Sequence, residues 1–195
     1  MVAFAKLSRS DLEVLYEWPS TVTSRINLVV DAEGSTTGAD GSSNTLTSQH
    51  DRQILKIIRD GATLVIVGAN SVRSEGWHIP SEGMLAVVSR HGFDDLPPCP
   101  DSSRVFIGSL DSILQLAQSN AHWVCEGGRT IVESLLARDL IDEICLTLAF
   151  SKESSAITPT LPEWISQKIQ FNPELKHAIT DEDKVFTLWR RGDSN

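Results

Sequence analysis

The chain holds only three cysteines in 195 residues, Cys99, Cys125 and Cys145, far apart and without metal-ligand spacing. That count and spacing suit neither a disulfide scaffold nor a zinc site, and two of the three lie in apolar strand-like runs, as reduced core thiols do. Positive charge is also scarce. The 17 Lys and Arg against 26 Asp and Glu give a formal net charge of -9, and no cationic cluster occurs beyond Arg190-Arg191. That balance argues against nucleic acid or an anionic membrane surface as partner and leaves a small molecule. No apolar run approaches the ~20 residues of a membrane helix, and no basic start precedes a long apolar stretch. A cytoplasmic protein is expected. The chain further lacks Gly-x-Gly-x-x-Gly after its first strand, a P-loop, Gly-x-Ser-x-Gly and His-x-x-x-His. Rossmann dehydrogenases, nucleotide hydrolases, serine hydrolases and zinc enzymes lose weight accordingly.

What is present is alternation. Short β-type runs recur at Ile26–Val30, Leu64–Val67, Leu85–Val88, Val105–Ile107, Trp123–Cys125, Ile144–Phe150 and Val185–Trp189. Helical patterns separate several of them. Ser48 to Arg59 begins Ser-x-x-Asp (Ser48, Asp51), carries Ile54, Leu55, Ile57 and Ile58, and is closed by Gly61; Leu110 to Gln118 follows Ser109 as N-cap; a third runs from Ile131 to Leu140. Such a chain of 195 residues, 41% hydrophobic, reads as one α/β domain with a largely parallel sheet covered on both faces. Residues 1–24 read as a docked arm, with a capping box at Ser10-x-x-Glu13, and 25–191 as the core. Residues 151–183 show little pattern and precede a last strand that can insert antiparallel.

Ligand crevices in open parallel sheets lie at the carboxyl ends of strands. Four segments belong there: Asp31–Gly34, Gly68–Gly76, Ser89-Arg90 and Glu126–Thr130. In Glu126-Gly127-Gly128-Arg129-Thr130, two glycines let backbone approach a ligand and the next helix offers free N–H groups to a phosphate; the stretch also reads as a plain tight turn. Gly68 permits close approach, with Ser71 as a hydroxyl donor, and Arg90 suits an adenosine phosphate or plain solvent. The Gly34–Ser48 stretch, rich in Gly, Ser and Thr, has the look of an active-site loop.

The assembled order resembles the dihydrofolate-reductase-like reductase family of riboflavin biosynthesis, in its stand-alone pyrimidine-reductase form, from about Tyr16 to Arg191. The family's Ser-x-Asp-Gly is similar to Asp31-Ala32-Glu33-Gly34, its Leu-Arg helix end to Ile58-Arg59, and its Val-Gly-Ala-x-Thr-Val-Arg-Ala-Glu to Val67–Glu75. Its Glu-Gly-Gly-Pro-Thr run is matched by Glu126–Thr130, followed by Leu140, Asp142, Glu143 and Leu146. No His-x-Glu with Pro-Cys-x-x-Cys accompanies it, so a reductase without the deaminase is expected. The resemblance implies a mixed, mostly parallel sheet with helices on both faces and an antiparallel C-terminal strand. It also implies an NADPH-dependent reduction of a 5-amino-6-ribosylaminouracil phosphate to its ribityl form, by a homodimer. It places Glu75 as the proton-handling group and Glu126 as its orienting partner. Cofactor contacts carried over are Val29, Thr45, Gly68, Ala69, Ser71, Ser89, Arg90, Gly127, Gly128, Arg129 and Thr130. Substrate contacts are Asn27, Glu33, Ser43, Arg59 and Glu126.

Three departures stand out. Asp31 and Glu33 replace Ser and Asp, two carboxylates on one face if the chain is still extended. Asn27 stands where bifunctional relatives often carry Lys. Arg129 replaces Pro, which puts a cation at the positive end of a helix, a penalty that a bound phosphate would offset. Another substrate, or a nucleotide binder without turnover, is the alternative these changes raise.

Overall fold

Nine strands form one sheet in the computed structural model, which describes residues 1–38, 42–150 and 158–192. In chain order they are β1 (Val2–Ala3), β2 (Ser24–Val30), β3 (Leu64–Gly68), β4 (Met84–Val88), β5 (Val105–Gly108), β6 (Trp123–Cys125), β7 (Glu143–Ala149), β8 (Pro173–Asp181) and β9 (Lys184–Arg191). Across the sheet the order is β1-β8-β9-β7-β2-β6-β3-β4-β5. Only β9 runs against its neighbours, antiparallel to both β7 and β8. The expected mixed, mostly parallel sheet with an antiparallel final strand is therefore found.

The strands with Val-, Ile- and Leu-rich sequences are those buried on both faces, as covered parallel sheets require. Because neighbouring residues point to opposite faces, Ile26, Leu28, Val30, Leu64 and Ile66 pack with Val132, Leu135 and Ile113 on one side. Val65, Val67, Leu85 and Val87 pack with Leu12, Ile54 and Ile58 on the other. The helices responsible are α1 (Arg9–Leu15), α2 (Gln49–Asp60), α3 (Ala69–Glu75), α4 (Leu110–Gln118) and α5 (Arg129–Ala137), with the short α6 (Glu163–Ser166) contributing buried Trp164 and Ile165.

The start of α1 differs from expectation. The capping box uses Ser8 and Asp11: the Asp11 N–H donates to Ser8 Oγ at 3.2 Å and the Ser8 N–H to Asp11 Oδ2 at 2.8 Å. Ser10 already lies inside the helix, and Glu13 pairs with Arg9 instead. The helix expected at Ile131–Leu140 begins two residues earlier and stops at Ala137, before Asp139 turns left-handed at φ 56° and leaves Leu140 exposed. Two strands had no expectation at all, β1 and β8. In β8 a bulge between Leu175 and His177 breaks the two-residue alternation by which a strand is recognised.

Ion pairs tie the amino ends of the central strands to the N-terminal arm. Fully buried Arg25 donates to Glu143 Oε2 at 2.5 Å, to the Tyr16 carbonyl at 2.7 Å and to the Glu17 carbonyl at 2.5 Å, and lies 4.0 Å from the Trp18 ring centroid. Arg190 donates to the other Glu143 oxygen at 2.5 Å. Next door, Asp142 Oδ2 accepts the backbone N–H and the hydroxyl of both Thr23 and Ser24. Asp142 and Glu143, noted above for the pattern they complete, thus organise the start of β2.

Candidate functional site

The helices α2, α3, α4 and α5 all begin at the carboxyl end of a parallel strand, but their first turns differ. Ser48 Oγ accepts from the Asp51 N–H at the head of α2, and Ser109 Oγ from the Ser112 N–H at the head of α4. Gly68 and Gly128, the N-caps of α3 and α5, offer no side-chain acceptor. The first N–H groups of those two helices are left for water or an anion.

Both glycines line a cleft of about 1030 Å³. That is the upper end of the ~300–1,000 Å³ typical of small-molecule sites. A Cβ on Gly128 would meet no atom within 4 Å, so it would stand in the open cleft, whereas one on Gly127 would press on Ile131 Cδ1 at 3.0 Å and Cys125 Sγ at 3.3 Å. Gly127 is thus needed for packing, whereas no contact among the described residues requires glycine at 128.

Fifteen of the residues expected at the site line this cleft: Asn27, Val29, Ser43, Arg59, Gly68, Ala69, Ser71, Glu75, Ser89, Arg90, Glu126, Gly127, Gly128, Arg129 and Thr130. Asn27 and Val29 do so because alternate residues of β2 share a face. Glu33 and Thr45 are not on its wall. The Asp31–Gly34 segment is a turn instead of an extended continuation of β2: Asp31 Oδ1 accepts the N–H of Glu33 at 3.0 Å and of Ser35 at 2.8 Å, leaving Glu33 exposed. Gly34, at φ +80°, accepts the Trp164 Nε1–H on its carbonyl at 2.9 Å, which holds the turn on α6. Thr45 is exposed and lies against Gly38. Residues 39–41 of the Gly34–Ser48 loop fall outside the described residues.

The two carboxylates expected to do chemistry are both engaged. Arg59 holds Glu126 with two bonds, Nε to Oε1 at 2.7 Å and Nη2 to Oε2 at 2.5 Å. Burial pushes the Arg59 guanidinium down, but the Glu126 bonds and charge, with a smaller contribution from Glu75, carry it above its ordinary value. Glu75 Oε1 accepts both the Ser43 hydroxyl at 2.8 Å and the Ser43 N–H at 3.2 Å, linking the loop before α2 to the end of α3. Arg129 pairs with Glu133 at 2.7 Å and lies 5.0 Å from the Trp164 ring centroid. Arg90 is exposed and has no ion-pair or hydrogen-bond partner among the described residues. Cys125, beside the glycine turn, is buried, and burial pushes its thiol up to about 12, which makes it a poor nucleophile.

Asp51 and Arg52 also line the cleft, although neither was expected there. Asp51 had been read as part of the α2 start. Its spacing of three and seven to Ile54 and Ile58 places it in the buried stripe of the helix, and that was the available signal.

No family model matches the sequence, and no curated protein matches it. Solved structures do. A pyrimidine reductase-like protein from Corynebacterium diphtheriae superposes with a TM-score of 0.70 at 17% identity, over 94% of this chain and 99% of that one. A diaminohydroxyphosphoribosylaminopyrimidine deaminase/5-amino-6-(5-phosphoribosylamino)uracil reductase from Thermotoga maritima gives 0.63 at 14% identity, over 88% of this chain but 57% of that one. The riboflavin biosynthesis reductase of Saccharomyces cerevisiae gives 0.58 at 12% identity, over 90% and 93%. At these identities the likeness is one of architecture, and the chain has the dihydrofolate-reductase-like fold of these three proteins.

Proposed function

We propose that the protein is an NADPH-dependent reductase acting on a phosphorylated ribosylaminopyrimidine, converting its ribosyl group to ribityl as in riboflavin biosynthesis. The observation that carries the proposal is the meeting of two glycine-capped helix starts, the unpartnered Arg90 and the Arg59–Glu126 pair in one cleft. Such a set fits a dinucleotide. The N–H groups at Gly128–Thr130 and Gly68–Ala69 would hold phosphate, Arg90 the adenosine phosphate, and Val29 would support the nicotinamide. When bound, NADPH supplies the hydride.

The chain's own residues would do the rest. Arg59, fixed by Glu126, presents a planar donor face to the cleft, and Ser43 and Asn27 add neutral hydrogen-bonding groups for a uracil edge. Glu75, held by Ser43, would handle protons during opening of the ribose ring.

Mixing the protein with NADPH and 5-amino-6-ribosylaminouracil 5'-phosphate should give substrate-dependent loss of the reduced-nicotinamide absorbance, reduced sharply by Glu75→Gln. One observation favours a second reading. Asp31 is consumed in its own turn and Glu33 stands away from the cleft, so the same cofactor site serves a different small substrate in that case. Saturable NADPH binding without oxidation in the presence of the uracil compound would select it, or a binder without turnover.

A further inference from the structure

Four carboxylates line the cleft, Asp51, Glu75, Asp95 and Glu126. Three are engaged with groups at its rim: Glu126 by Arg59, Asp95 by Arg73 at 2.8 Å, and Glu75 by Ser43. Asp51 differs. It is 8% exposed, accepts the Thr147 hydroxyl on Oδ1 at 2.6 Å, and its Oδ2 has no hydrogen-bond partner among the described residues. Thr147 is itself buried in β7, in register with Val29 of β2, and both Asp51 and Val29 line the cleft.

We infer that Asp51 is the acid that delivers the proton to the reduced substrate, an inference that rests on the reductase reading above. In the ring-opened substrate a C=N bond joins the former anomeric carbon to the exocyclic nitrogen. That carbon accepts the hydride supplied by NADPH, the π pair moves to nitrogen, and the Asp51 O–H bond breaks to protonate that nitrogen. An amine, the oxidised dinucleotide and an Asp51 carboxylate result, and the carboxylate regains its proton from water. The Thr147 hydroxyl stabilises the carboxylate at the moment it forms.

Burial raises the Asp51 carboxyl above its ordinary value, in keeping with an acid that must be protonated before the step. The groups acting against that rise are Thr147 on β7, Lys184 on β9 and Arg52 on α2; Glu126, in the turn before α5, adds to it. The rate should therefore fall as pH rises through the Asp51 pKa. Thr147→Val removes a bond that favours the carboxylate and should move that limb to higher pH, which a merely structural Thr147 would not do.

The test combines turnover with carboxyl titration. Asp51→Asn should bind NADPH within about twofold of wild type and lose roughly 100-fold or more in kcat, the range of one general acid. In 13C NMR of the wild type, the carboxyl signal missing from Asp51→Asn should titrate above the ordinary Asp value of about 3.9. Wild type active and Asp51→Asn equally active overturns the inference and leaves the reductase reading standing. Wild type inactive toward the uracil compound despite saturable NADPH binding overturns the reductase reading and this inference with it. An Asp51 signal that titrates at or below the ordinary value overturns the inference whatever the turnover.

Discussion

The two ends of the central parallel strands are built on opposite principles. At the amino end the buried charged groups are matched within the protein: Glu143 holds Arg25 and Arg190, Arg25 also meets two carbonyls, and Asp142 caps the start of β2, with the neutral His177 Nε2 the one buried side-chain atom left unpartnered among the described residues. At the carboxyl end acceptors and donors are left over, in two helix starts without side-chain caps, in Arg90 and in one oxygen of Asp51. A protein with marginal stability satisfies its buried polar groups unless something else will. The surplus at one end is what the proposed ligand would satisfy.

Breaking the saturated end should cost stability and spare binding. Arg25→Ala leaves Glu143 buried with half its pairing and should lower unfolding free energy by about 3–5 kcal/mol in urea titrations. NADPH affinity of the fraction still folded should be unchanged. The opposite is expected at the open end. Arg90→Ala should weaken NADPH by about 1.5–3 kcal/mol, on the order of ten- to a hundredfold, if its guanidinium bonds a phosphate. Its effect on stability should stay within about 0.5 kcal/mol, as for other surface changes.

A smaller effect concerns pH. His177, on β8, has a buried Nε2 without a partner, and burial, aided by Arg25 and Arg190, pushes its ring down to about 4. Its unfolded value is about 6.5, so between those two values the unfolded chain binds more protons than the folded one. Stability should fall as pH drops from about 6.5 toward 4, and His177→Leu should flatten that slope. A slope unchanged in His177→Leu would assign the loss to carboxylates. The smallest effect is expected from Gly128→Ser, whose backbone angles, φ -60° and ψ 169°, suit serine. An added cap is worth a few tenths of a kcal/mol over glycine. Stability should rise slightly while NADPH affinity drops, because the new hydroxyl would compete for the N–H groups proposed to hold phosphate.

The same contrast explains what could be read from sequence. Seven strands were visible because a covered parallel sheet is written as Val-, Ile- and Leu-rich runs, and Gly68, Gly127 and Gly128 were visible because they punctuate strand-to-helix turns. β8 was hidden by its bulge at Lys176, and β1 by having two residues. Glu33, expected by resemblance among the substrate contacts, does not line the cleft, because Asp31 folds that segment into a turn that no residue pattern announces. Asp51 was overlooked because Ser48-x-x-Asp51 reads as a helix start, a role that only its backbone N–H performs. Its side chain turns to Thr147, 96 residues away, and no local pattern records such a partner. The Ser8–Asp11 box shows the same limit in reverse, since two overlapping boxes are written there and only the first is used.

Hydrogen–deuterium exchange with and without NADPH tests the contrast most directly. Protection is predicted at the backbone N–H groups of Gly68–Ser71 and Gly128–Ile131, with the amino-end network around Arg25 and Glu143 unchanged. Protection absent from both glycine-capped helix starts at saturating NADPH, or found at the amino end instead, would contradict the account.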